Sequence, residues 1–370
     1  VALIVAILIV SVVIYSGYQR EIQKRLFSVG GQLSLRQFST GSLYEEAPLD
    51  SKAGFVKDLK SLPEVAHVQS FAFKPALVSN EKEVSGIVLK GLDADFNLEA
   101  FSVNLKTPAS KVPGEGEIWV SEKQARTLEL KVGSELVLFF LQEPPRYRRM
   151  KVTQIFQSGL EEVDETFSFV SMGLIREMNS WEGNEVGGFE VFVKDFGQLE
   201  KSAEKVESVI PYNMGVESIT QTHAQLFEWL EMIGRNVVVI FFLVAMVAGF
   251  NMAATLLIMV IERRKMVGVL KAMGAENGLI RRIFVMNGIQ IISQGIFWGN
   301  VVGIGLAILQ DRFSLIPLDP ENYFVSTVPI GWDFPVLLAI NAAVLFVSSL
   351  VILIPVRLVN RIQPAEAVRA

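Results

Sequence analysis

Three stretches of this 370-residue chain, 236–260, 283–309 and 334–354, each run for more than 20 residues without a charged side chain. A bilayer core takes about 20 helical residues. Backbone groups in lipid must be bonded internally, so each stretch is expected to be a transmembrane helix. A fourth stretch, Val1 to Tyr15, is apolar apart from Ser11 but falls short of that length. The chain begins without methionine, so this stretch reads as a first helix clipped at its start. The alternative is a signal-peptide core, and the lack of a basic segment or small-residue cleavage site argues against it.

Lys and Arg set the orientation. Arg263, Arg264, Lys265, Lys271, Arg281 and Arg282 lie between the second and third spans, and Arg357, Arg361 and Arg369 follow the fourth. Both segments are expected in the cytoplasm. The loop between the third and fourth spans holds Arg312 beside Asp311, Asp319 and Glu321, so it and the long segment after the first span are expected outside. The chain carries −5 overall although its two basic segments are positive. The external part is therefore acidic, and nucleic acid is excluded as a partner. With no cysteine there is no disulfide or thiolate metal site within these residues, and His67 and His223 are too far apart in sequence to suggest a metal pair.

The external segment mixes helix and strand. Phe55, Val56, Leu59 and Leu62 share a helical face, and 65–78 and 84–92 read as strands about a polar turn. Glu117 to Val120 reads as a strand, followed by a helix with Ser121 and Gln124 as its capping box. Gly133 marks a turn into a strand over 135–141. Pro144 and Pro145 end it, and 149–156 is its hairpin partner. Phe189, Val191 and Val193 alternate with Glu190, Phe192 and Lys194, the pattern of a half-buried strand. Phe196, Leu199, Ala203 and Val206 recur at helical spacing, and a helix from about Thr222 runs on into the second span. Glu161, Glu162, Asp164 and Glu165 read as a solvated loop, because no calcium-type ligand spacing accompanies them.

The loop between the second and third spans is the most informative segment. Met266, Val269, Leu270 and Met273 fall on one helical face, Gly274 stands where a helix C-terminal glycine belongs, and Asn277 is placed to cap the next helix. The same pattern fits a basic interfacial helix lying on lipid and a coupling helix seated in a soluble ATPase. In the third span, Gly295, Gly299 and Gly303 form a small-xxx-small face for helix packing. Asn251, Asn287, Gln290, Gln294, Asn300 and Asn341 are amides at membrane depth, expected to hydrogen-bond across helices.

The run Glu262 to Ala275 resembles the ERRKEIGILKALGA signature of FtsX-like permeases. Ser16 to Ile22, Trp119 to Gly133, Tyr323-Phe324-Val325 with Val328-Pro329, Pro355 to Arg357 and Ile362 to Ala367 are similar to segments of the lipoprotein-releasing LolC/LolE permeases among them. The resemblance implies an α-helical membrane protein with four transmembrane helices and a MacB-like α+β domain between the first and second. The expected division is 1–18 first helix, 19–235 periplasmic domain, 236–260 second helix, 261–282 coupling loop, 283–309 third helix, 310–333 periplasmic loop, 334–354 fourth helix and 355–370 cytoplasmic tail. Glu262, Arg263, Arg264, Lys265, Met266, Gly268, Val269, Leu270, Met273 and Gly274 would couple to the ATPase.

No G-x-x-x-x-G-K-[S/T] occurs in the sequence, so no P-loop cradles ATP. The family implies no catalytic residue, metal or cofactor in this chain, ATP being bound by partner ABC ATPase subunits. It also implies a second permease subunit, lipoprotein cargo entering between the first two spans, a periplasmic carrier chaperone and a bacterial inner-membrane location. The hairpin 141–150 is shorter than the chaperone-gripping hook of one member of the pair, and Val325-Ser-Thr departs from the family's aspartate. Alternatives are a drug or peptide exporter, an FtsX-like signal transducer to a periplasmic hydrolase and, from another class, a membrane sensor. An intramembrane enzyme is disfavoured because the spans carry no charge or histidine.

Overall fold

A computed structural model describes the chain except residues 39–45, 81–82, 106, 320–322, 324 and 359–370. The resemblance at Phe324 and at Ile362 to Ala367 lies outside the described residues. Two compact units emerge: Val1–Glu21 with Glu228–Leu318 and Ser326–Ala370, and Ile22–Phe227 with Asp319–Val325.

The second unit is sheet-rich, and it enters the sequence between the first and second long helices. After helix α1 (Ala2–Val29) come β1 (Leu33–Gln37), β2 (Leu49–Asp50), α2 (Gly54–Ser61), β3 (Val65–Asn80) and β4 (Glu83–Leu92). The chain continues through α3 (Leu98–Phe101), β5 (Glu117–Ser121), α4 (Glu122–Thr127), β6 (Glu135–Phe140), β7 (Arg146–Phe156) and α5 (Glu161–Thr166). The unit ends with β8 (Phe167–Ser171), α6 (Met172–Asn179), β9 (Glu185–Val186), β10 (Gly188–Val193), α7 (Leu199–Glu207), β11 (Met214–Ser218) and α8 (Ile219–Thr222).

Six strands close on themselves in the order β3-β4-β8-β5-β7-β6, because β3 also pairs with β6 at Leu77 to Ser79. The other half of β3 pairs with β10, which continues the sheet through β1 to β11. Strand β3 thus changes partner along its length. Pro75 falls between the last pair with β10, at Phe71, and the first with β6, at Leu77. A residue without an N–H is tolerated where an edge of the ladder is open. Phe101, Trp119, Phe156 and Phe169 meet inside the barrel, with ring centroids 4.9 to 5.9 Å apart.

The local signals behave as expected. Ser121 and Gln124 form a reciprocal capping box, and Gly133 takes φ +94°, a conformation suited to glycine. Three expectations are corrected. Strand β7 starts at Arg146, three residues early, since Phe140 pairs with Arg146 across the short turn. Strand β10 is buried at every position: Phe189 packs on Phe55 of α2, and Glu190, which points to the opposite face, is closed over by Lys90 and Gln69. The acidic run is a short helix, α5, in which the Asp164 carboxylate accepts from the Ser158 N–H at 2.9 Å. The helix leading into the second span is continuous as expected, from Ala224 after a break at His223.

The first unit contains α1 to Glu21, α9 (Ala224–Glu262) from Glu228, α10 (Arg264–Ala272), α11 (Asn277–Phe313) and α12 (Phe334–Leu358). Helices α1, α9, α11 and α12 are all long and apolar enough to cross a membrane.

Candidate functional site

Helix α10 joins α9 to α11 through two sharp boundaries. Arg263 leaves helical geometry between α9 and α10. At the other end Gly274 adopts φ +91°, the Ala275 N–H donates to the Leu270 carbonyl and the Gly274 N–H to that of Lys271, both at 3.0 Å. Those two bonds define a Schellman cap. Glu276 takes the N-cap position of α11 without a side-chain bond, and Asn277 is its first helical residue. The expected Asn277 cap is therefore not formed, because the chain leaves the Gly274 turn one residue sooner.

The two faces of α10 differ. Val267 is fully buried in a cluster with Met252, Leu256, Val260, Ile280 and Phe284, so α9 and α11 hold this helix from within the chain. Gly268 is buried as well, and Leu270 packs half-buried on the same cluster. Met266, Val269 and Met273 stay exposed, at 36, 50 and 72%, on one stripe at i, i+3, i+7 spacing. Glu262, Arg263, Lys265, Arg281 and Arg282 are exposed and Arg264 is half-buried. The apolar face expected from periodicity is thereby divided: Leu270 is used by this chain, and Met266, Val269 and Met273 remain available. Gly268 sits on the side the chain itself covers, so a bulky residue there would press on its own bundle.

The glycine spacing of α11 meets α1. A Cβ at Gly295 would stand 2.6 Å from Val1 Cβ, one at Gly299 2.5 Å from Val5 Cβ, and one at Gly303 3.1 Å from Ala6 Cα. Helix backbones approach this closely only across small residues. Of the intramembrane amides, Asn300 and Asn341 exchange hydrogen bonds of 2.7 and 3.1 Å between α11 and α12. Asn251, Gln290 and Gln294 are exposed on the chain's outer surface and Asn287 is half-buried.

Sequence reasoning assigned no role to a clamp on α1. Segment Pro329–Gly331 crosses α1 at Gly17, and the Gly331 N–H donates to the Val13 carbonyl at 2.9 Å. One turn on, Arg20 donates to the Trp332 carbonyl at 2.9 Å and pairs with Asp333 at 3.3 Å. In the sequence the two sides of this clamp show only as separate family-like segments, Ser16 to Ile22 and Val328-Pro329, with nothing to join them. Val325, from the segment resembling the family's outer-loop motif, is buried, and Tyr323 is exposed.

In the sheet-rich unit, Lys90 donates to Glu190 at 2.5 Å and to the Val29 carbonyl, the last of α1, at 2.7 Å. Gln69 donates to the other Glu190 oxygen at 2.7 Å. Burial pushes the Glu46 carboxyl up to about 7, against the Phe73 N–H and Arg36, which favour its charged form. His223 is held below the usual histidine range by burial, with Glu162 opposing. Among the described residues no group of three or more His, Asp or Glu could hold a metal ion.

Residues 238–364 match the family described as FtsX-like permease C-terminal. The lipoprotein-releasing system transmembrane protein LolC of Xylella fastidiosa (strain Temecula1) is 22% identical, over 100% of this chain and 92% of its own. LolE of Haemophilus influenzae is 22% identical over 99 and 91%, and LolC of Neisseria meningitidis 22% over 100 and 92%. Among solved structures, the periplasmic region of MacB from Actinobacillus actinomycetemcomitans is 11% identical, covering 55% of this chain and 95% of that one with a TM-score of 0.37. Residues 238–364 are thus an FtsX-like permease domain, in a chain similar over its whole length to the LolC and LolE lipoprotein-releasing proteins.

Proposed function

We propose that this chain is the permease subunit of an ABC-type machine in a bacterial inner membrane, working with separate cytoplasmic ATPase subunits and a second permease, identical or homologous. Its cargo is lipoproteins, taken from the outer leaflet and released toward the outer membrane, with a periplasmic carrier as acceptor. The sheet-rich segment 19–235 and the loop 310–333 are periplasmic in this reading, and 261–282 and 355–370 are cytoplasmic.

The observation that carries the reading is the outward stripe Met266, Val269 and Met273, framed by Arg263 and Lys265. An apolar strip with a basic rim fits a groove with apolar walls and an acidic lip. Its helix packs against α9 and α11 through Val267, so movement of a bound ATPase would pass directly into two spans. The coupling can be no larger than the difference in contacts between the two states. The chain binds no nucleotide itself, which its lack of a P-loop supports. Whole-length similarity to proteins named for lipoprotein release supports the cargo.

Reconstitution in proteoliposomes tests this reading. The complete set of permeases and ATPase is expected to hydrolyse ATP and to release an acylated lipoprotein to a soluble acceptor, while the permease alone does neither. Hydrolysis by this chain alone, or a complete set that hydrolyses ATP without releasing lipoprotein, contradicts it.

A further inference from the structure

Strand β4 is ten residues long, but its two sides are not used equally. Along one side it pairs with β3 over its whole length, from Glu83 to Leu92, with no register shift. Along the other it pairs with β8 only from Val88 onward, where Val88 stands opposite Phe167, the first residue of β8. Among the described residues, no strand lies beside Val84 to Ile87 on that side. Each residue of a strand sends its N–H and C=O to the same edge, and successive residues alternate. Two of these four residues therefore present both backbone groups away from β3.

This edge opens on a cleft of about 770 Å³, within the range of ligand sites. Ser85, Gly86 and Ile87 form one wall, and Lys123 and Leu128 of the α4 region stand across from them, with Thr166 immediately before β8. The lining is apolar at Leu77 and Leu141 and charged at Lys74, Lys123 and Glu165; the Lys123 ammonium is paired with Glu161 and Glu165, and Lys74 donates to the Asn179 side-chain oxygen at 2.7 Å. Lys123 is thereby neutralised by carboxylates of this chain.

Exposed strand edges are ordinarily blunted by lysine, proline, a bulge or a covering element. Val84 to Ile87 carries none of the first three: Val84 is 65% exposed, Gly86 has open space where a Cβ would stand, and the pairing is unbroken. The helices across the cleft leave a gap instead of closing it.

We infer that the edge Val84–Ile87 is a strand-addition site for an extended peptide segment of a partner protein. The ladder decides the class of ligand. Paired N–H and C=O groups at strand spacing are matched by another extended backbone, whereas a lipid chain offers no donors to them. Main-chain bonds of this kind give affinity with little demand on sequence, and neighbouring pockets select alternate side chains. Ile87 and Leu128 are buried at the floor of the cleft, and around them Ser85, Lys123, Thr127 and Thr166 stand beside Leu77 and Leu141, so the added strand carries small side chains, polar and apolar in alternation. The site is separate from α10 and does not rest on the function proposed above.

The test uses the full chain, purified in detergent, and acetyl-Thr-Val-Thr-Val-Thr-Val-amide as the probe at millimolar concentration. Hydrogen exchange is followed at the amides of residues 84–87. Two of the four, those turned from β3, are expected to slow at least tenfold when the peptide is added. The same hexapeptide N-methylated at every residue keeps its side chains and loses its donors, and it is expected to give no protection. Absence of protection by the parent peptide overturns the proposal. Equal protection by both peptides overturns it too, since the cleft would then be adsorbing apolar side chains and not a strand.

Discussion

Gly17 and Gly331 meet backbone to backbone. A Cβ on Gly17 would lie 2.8 Å from the Gly331 nitrogen, and one on Gly331 would lie 2.5 Å from the Ser16 carbonyl carbon. The contact allows the Gly331 N–H to reach Val13 and ties α1 to the start of α12. Overpacking such a contact costs about 1–3 kcal/mol. Gly17→Val and Gly331→Val are each expected to lower the thermal midpoint of the detergent-purified protein. An unchanged midpoint in both would show that the crossing is not tight.

Two glycines of α11 provide a paired comparison. Gly299 has no room for a Cβ because of Val5, whereas Gly305 has open space. Gly299→Leu is expected to destabilise by about 1–3 kcal/mol, and Gly305→Leu to be close to neutral. Equal effects of the two substitutions on thermal unfolding would separate the glycine spacing from the packing of α1.

The Lys90–Glu190 pair is buried on both sides, at 4 and 8% exposure. Removing one partner of a buried pair leaves an uncompensated charge and costs about 3–5 kcal/mol. Glu190→Ala should fall in that range by denaturant unfolding. The double variant Lys90→Met, Glu190→Leu should recover a large part of the loss, and a strictly additive double variant would show that the two residues do not act as a pair.

Glu46 sets a pH dependence. Its pKa rises from the ordinary 4.5 to about 7 in the folded protein, so the folded state holds the proton more tightly than the unfolded chain. Its contribution to stability is full below about 4.5 and is lost as pH rises through about 7. The span corresponds to roughly 3 kcal/mol. Melting curves at pH 5.5 and 8 should show the wild type losing stability at the higher pH, and Glu46→Gln should flatten that loss. A variant with the wild-type slope would assign the dependence to another group.

Signals confined to a few residues were legible in the sequence. The Ser121–Gln124 capping box and the positive-φ turns at Gly133 and Gly274 depend on neighbours within a turn. The full burial of strand β10 was not legible because Phe55, which packs on Phe189, lies more than 100 residues away in sequence. The alternation of Glu190 with Val191 implied a wet face, yet the partner that keeps Glu190 dry, Lys90, is just as remote. At α10, periodicity grouped Leu270 with Met266, Val269 and Met273. It could not tell which of them the chain's own helices would use, since that depends on where Ile280 and Phe284 pack. The clamp over Gly17 joins segments more than 300 residues apart, and no local pattern pairs them.

The central claim is that α10 seats a separate ATPase through its outward stripe. Its most direct test is binding of the ATPase subunit to proteoliposomes carrying wild-type chain, Val269→Asp or Met273→Asp, after each variant is shown to insert normally. An uncompensated charge buried at a protein contact costs several kcal/mol. The account predicts at least a tenfold loss of ATPase binding for both variants. Wild-type binding by both, with normal insertion, would contradict it and leave α10 as a helix lying on lipid.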